Sequence, residues 1–145
     1  MKRLVLVAVF AALGATAVIA QGDPIAARKA IMKENGAQSR IAREMIEGKQ
    51  PFDLAKAHKV LTTFADVHTK AKPLFPDSSK TGGETEALPA IWENKADFEA
   101  KLAKFSADAK EADATVKDLD SFKAAIANVG KNCGGCHNTY RKKQS

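Results

Sequence analysis

Two cysteines and three histidines are all the thiols and imidazoles that this 145-residue chain offers. Three of those five side chains fall together in Cys133-Gly134-Gly135-Cys136-His137. On a helix, residues three apart share a face, so both thiols can meet two reactive groups along one edge of a flat ligand. His137, four residues after Cys133, can turn its imidazole over that same ligand. Gly134 and Gly135 put no side chains in the way, although glycine weakens a helix interior. C-x-x-C-H is the attachment pattern for c-type haem, with Cys133 and Cys136 as thioether links and His137 as the proximal axial ligand of the iron.

Three other chemistries compete for these residues. A thioredoxin-like C-x-x-C requires a βαβ setting, and the sequence has no period-two segment of useful length. A zinc site needs four protein ligands, and only His58 and His68 remain to supplement the cluster. A plain disulfide suits an oxidising compartment but leaves His137 without a role. Covalent haem uses all three residues at once.

The elements that must position the motif read as four helices and one long crossover. Pro24 suits a first helical turn with Asp23 as its cap, and Gly48 sits where a helix C-terminal glycine belongs. Pro51 and Asp53 open helix two, whose apolar positions Leu54, Ala57, Leu61 and Phe64 keep steps of three and four. That helix is expected to end near Lys72, before Pro73 and Pro76. Residues 73–93 form a loop of about 20 residues, long for a compact domain. Asn94 is the expected cap of helix three, with Phe98, Leu102, Phe105, Ala109, Ala112 and Val116 on its stripe. Asp118 or Asp120 starts helix four, whose stripe runs Leu119, Phe122, Ile126, Val129, Cys133, Cys136 and Tyr140. The expected fold is all-α, an antiparallel four-helix bundle with covalently bound haem c entering its core.

Residues 1–20 read as a secretory signal peptide. Lys2 and Arg3 precede an apolar, small-residue run over 4–20, and the chain turns polar at Gln21. An uncleaved anchor would barely reach spanning length. Cleavage after Ala20 leaves a domain over 21–145 in the periplasm, without stable membrane association. Removing Lys2 and Arg3 lowers the formal net charge from +6 to +4. Hydrophobic residues make up 45% of the chain, which excludes low-complexity disorder. The basic balance alone does not choose among nucleic acid, anionic membrane and acidic protein partners.

The motif's place in the last helix, followed by Asn138-Thr139-Tyr140-Arg141, resembles the class II cytochromes c, which include cytochrome c prime and a low-spin branch with Met/His ligation. Supporting pieces are Arg28-Lys29-Ala30-Ile31-Met32-Lys33, Leu74-Phe75-Pro76 with Ser79-Lys80-Thr81-Gly82-Gly83, and Leu88-Pro89-Ala90-Ile91-Trp92. The resemblance covers 21–145. It implies an antiparallel four-helix bundle, one covalent haem c, a His ligand on one side of the iron, and frequent homodimers.

In such proteins the helix-one residue four after the arginine faces the distal side of the haem, which here is Met32, after Arg28. The resemblance implies either a thioether ligand to iron or an unligated gatekeeper, and core filler is the alternative for a lone Met. Gly36 would let helix one approach the haem closely. Arg28 falls on the inward arc of helix one, where a haem propionate is one partner for its charge and solvent at the arc's edge is the other. Arg141, four after His137, lies either beside the proximal ligand or at the surface. His68 extends the helix-two stripe, so bis-His ligation competes with a surface histidine there. Trp92 and Tyr140 are expected to pack around haem or core.

These readings point to a monohaem electron carrier rather than an enzyme, docking acidic periplasmic redox proteins through its positive charge. The alternative is five-coordinate haem that binds a small gas ligand, nitric oxide or carbon monoxide. No distal acid–base pair suggests a peroxidase. Nucleic-acid binding does not fit an exported haem bundle.

Overall fold

A computed structural model describes residues 22–143. The expected leader and its cleavage after Ala20 lie outside the described residues.

Helix α1 (Pro24–Ile46) begins as its sequence requires. The Asp23 carboxylate accepts the Ile25 N–H at 2.9 Å and Pro24 occupies the first turn. The chain leaves α1 through Gly48, whose φ of +71° is the left-handed conformation that favours glycine. Helix α2 (Leu54–Ala65) is capped by Asp53, which accepts the Lys56 N–H at 3.0 Å.

Helix two is not continuous to Lys72. It stops at Ala65, and a short α3 (Val67–Ala71) follows Asp66. The break has a specific cause on another helix. The buried Ser106 hydroxyl donates to the Ala65 carbonyl at 2.6 Å and accepts the His68 N–H at 3.0 Å. Those bonds occupy backbone groups at the break with a side chain from α5, defined below.

The expected loop over 73–93 is organised. It holds 3₁₀ turns at Lys72–Leu74 and Asp77–Ser79 and a short helix α4 (Ala90–Glu93). The Trp92 indole N–H reaches the Phe75 and Pro76 carbonyls at 3.1 and 3.3 Å. An isolated antiparallel bridge pairs Ala87 with Arg141, and among the described residues there is no strand.

Helix α5 (Lys95–Thr115) starts after Asn94 as expected, but the Asn94 side chain makes no capping bond. Helix α6 (Leu119–Tyr140) carries a complete capping box. Asp118 accepts the Ser121 N–H at 2.8 Å, and the Ser121 hydroxyl accepts the Asp118 N–H at 3.0 Å.

The result is an antiparallel four-helix bundle of α1, α2 with α3, α5 and α6. Helix α5 packs against α2 and α6, and α1 packs against α2 and α6. Two apolar clusters fill it. The first includes Ala42, Met45, Leu61, Ala109, Phe122 and Val129. The second is Val67, Ala71, Ile91, Phe98, Leu102 and Tyr140, with Ile31 and Cys136 packed against it. Phe105 touches both. Burial of each large side chain contributes roughly 1.5–3 kcal/mol.

Candidate functional site

The level at which the two clusters part defines the site. On α6 the first cluster ends at Val129 and the second begins at Cys136. On α1 the first cluster begins at Ile41 and the second holds Ile31. Between these limits lie Cys133 on α6 and Met32 and Asn35 on α1. The α6 stripe runs as expected through buried Phe122, Val129 and Tyr140, yet Cys133 on the same line is exposed and Cys136 is half-buried. Helical periodicity makes Cys133 inward-facing, but no cluster covers it.

Cys133 and Cys136 form no disulfide with each other. Partial desolvation pushes both thiols' pKa values up, although the Cys133 residue as a whole is exposed. Among the described residues no group of three His, Cys, Asp or Glu is arranged to hold a metal ion by itself. His137 is half-buried, and burial, then the nearby Arg141 charge, holds its pKa below the ordinary histidine value, against an opposing pull from Glu86. The neutral imidazole that results has a lone pair for a metal.

Met32 is 41% exposed, one of two large apolar side chains exposed in the described residues, so it is not core filler. Its neighbour Ile31 packs on the same cluster as Cys136. A Cβ at Gly36 would meet no protein atom within 4 Å, so that side of α1 faces open space. Asn35 carries a sealed amide oxygen with no hydrogen-bond partner. An exposed thioether, two thiols three residues apart and a neutral imidazole thus flank the gap between the clusters. That donor set fits a flat, largely apolar ligand held at two sulfurs and bound through its metal.

Arg28 is buried, at 6% exposure, so the solvated alternative is excluded. Its Nη1 donates to the Leu74 carbonyl at 3.3 Å and the Ser79 hydroxyl at 3.0 Å. Its Nη2 donates to the Ser79 carbonyl at 3.3 Å and the Thr85 hydroxyl at 2.7 Å. The guanidinium also lies 4.9 Å from the Phe75 ring centroid and 5.7 Å from that of Trp92. Acceptors on the crossover account for all four terminal N–H groups.

Arg141 caps α6 and lies beside His137, lining with it a cleft of about 160 Å³. Its Nε donates to Glu86 at 2.6 Å. Tyr140 packs edge-on to Phe98, and Trp92 to Phe75, as aromatic core members. His58 pairs with Asp113 at 2.7 Å. His68 lines a separate cavity of about 510 Å³ with Thr69, Lys72, Phe75, Lys95 and Glu99, so it does not join the motif. Ser79, Thr85, Asp97 and Ser106 carry structural bonds that no local sequence signal announces.

The family model described as cytochrome c' matches residues 23–141. A cytochrome c' of Rhodopseudomonas palustris is 44% identical over 143 residues, covering 99% of this chain and 98% of that protein. A cytochrome c-556 of the same organism is 34% identical, covering 99% of each. The solved structure of cytochrome c' from Rhodopseudomonas palustris superposes with a TM-score of 0.82 at 46% identity, over 86% of this chain and all of that one.

Proposed function

Because this chain belongs to the cytochrome c' family of class II c-type cytochromes and carries one covalent haem c with its iron, we propose that it is a periplasmic electron carrier with His137 as proximal and Met32 as distal ligand. Cys133 and Cys136 form the thioether links. The observation that carries this reading is the exposed Met32 of α1, next to Ile31, which packs on the same cluster as Cys136 of α6.

When bound, the haem supplies a one-electron Fe(III)/Fe(II) couple. The chain's own residues set its environment. His137 donates from a neutral imidazole, and the Met32 thioether raises the potential. Lys29 and Lys33 on α1, Lys131 on α6 and Lys142 and Lys143 just beyond its end are exposed and steer an acidic redox protein toward the site. Such encounters are small and transient. No helix of the described residues is long and apolar enough to cross a membrane.

The test is the electronic and EPR spectrum of the purified ferric protein. A low-spin signal with a thioether charge-transfer band is expected, and Met32→Ala should convert it to high spin. High-spin iron in the wild type, unmoved by Met32→Ala, contradicts the ligation. The second reading, gas binding at five-coordinate iron, is favoured by the higher identity to a cytochrome c' than to a cytochrome c-556. Rapid carbon monoxide binding by the reduced wild type would select it.

A further inference from the structure

Two adjacent crossover residues tie different helices. The Thr85 hydroxyl accepts from Arg28 of α1 at 2.7 Å. Next to it, Glu86 accepts from the Arg141 side chain at 2.6 Å and, through its carbonyl, from the Lys142 N–H at 2.8 Å. Leu88 then donates its N–H to the Tyr140 carbonyl at 3.0 Å, and Ala87 bridges Arg141. More of the segment lies against α1. Buried Ser79 accepts from Arg28 twice, Lys29 Nζ donates to the Glu84 carbonyl at 3.2 Å, and the Cβ position of Gly83 meets the Ile25 side chain at 3.3 Å. Arg28 stands four residues before Met32, and Arg141 four after His137.

We infer that Arg28, Ser79 and Thr85 form a clamp through which the crossover holds the first turns of α1 at the end of α6, which makes Arg28 a positioning residue for Met32. The physical argument is satisfaction of a buried charge. A guanidinium taken from water requires acceptors on all its N–H groups, and two rings of the crossover cover its face. Loosening the clamp leaves that charge under-partnered, so the first turns of α1 separate from the crossover. The thioether then detaches from iron more often. The functional readout rests on Met32 being the distal ligand, whereas the clamp itself does not.

The experiment uses haem-loaded, reduced protein mixed with carbon monoxide in a stopped-flow instrument, because the gas enters only when the sixth position opens. Ser79→Ala/Thr85→Val should accelerate binding by about tenfold, the scale of losing charge-assisted hydrogen bonds. Thr85→Ser, which keeps the hydroxyl, should bind as the wild type does. In a Met32→Ala background the same double variant should leave the rate unchanged. If the double variant binds at the wild-type rate while Arg28→Met alters it, Arg28 acts through a group outside the crossover and the clamp is refuted. If the wild type is already high-spin, the Met32 reading has failed, and amide hydrogen exchange over residues 25–32 decides the clamp. Faster exchange in the double variant upholds it, and unchanged exchange overturns it.

Discussion

The Tyr140 hydroxyl donates to Asp97 Oδ2 at 2.5 Å and so fastens the last turn of α6 to the first turn of α5. This hydrogen bond, then burial, pushes the Tyr140 pKa up to about 12. The neutral phenol is the form that stabilises the fold. Its contribution is complete below the ordinary tyrosine pKa of about 10 and is lost as pH rises through the raised value. Tyr140 is the only tyrosine, so ultraviolet resonance Raman reads it alone. The tyrosinate bands should appear with a midpoint near 12, and Asp97→Asn should move that midpoint down. A wild-type midpoint at the ordinary tyrosine value would show that the bond does not form.

Ser106→Ala tests the break between α2 and α3. The variant removes both the donor to Ala65 and the acceptor for the His68 N–H. Orphaning such groups costs about 1–3 kcal/mol. Urea denaturation should register that loss without a change in the haem spectrum. A neutral substitution would mean that the break persists for another reason.

Much of the architecture was legible locally, and the exceptions share one cause. Asp23, Asp53 and Asp118 sit immediately before the helices they cap, so their type and spacing announced them. The helix-two break depends on Ser106, which lies about 40 residues away in sequence, so no window around Ala65 contains the reason. Arg28 was correctly put on the inward face, but its partners Ser79 and Thr85 are in a crossover whose path periodicity cannot trace. Asn94 was placed at a helix start by residue type, and its geometry gives no capping bond. The attachment motif was legible because its chemistry depends on spacing within one helix.

Core and site should respond separately to truncation. Phe122 is fully buried in the first cluster, so Phe122→Ala should cost about 3–5 kcal/mol in thermal or denaturant unfolding. Its effect on the ferric spectrum should be small. Met32→Ala should do the opposite, altering the spectrum with little loss from protein packing because Met32 belongs to neither apolar cluster. Loss of low-spin character on Phe122→Ala in fully folded protein would contradict this separation.

On the acid side, hydrogen bonds from Lys104, then Asn132, hold the Asp108 pKa below the usual carboxylate value. A depressed folded pKa contributes stability that is present above the unfolded value of about 3.9 and lost as pH falls through the folded one. Asn132 donates to Asp108 at 2.8 Å from the residue preceding Cys133, so this bond ties the start of the motif to α5. Asn132→Ala should weaken the decline of stability in acid, measured as the unfolding midpoint against pH. An unchanged acid limb would remove Asp108 from the account.

The most direct measurement is the mass of the tryptic peptide spanning residues 132–141, taken from protein matured in cells competent for haem attachment. The account predicts this peptide carrying one haem with both Cys133 and Cys136 consumed. The same peptide recovered at its unmodified mass, with two free thiols, would contradict it.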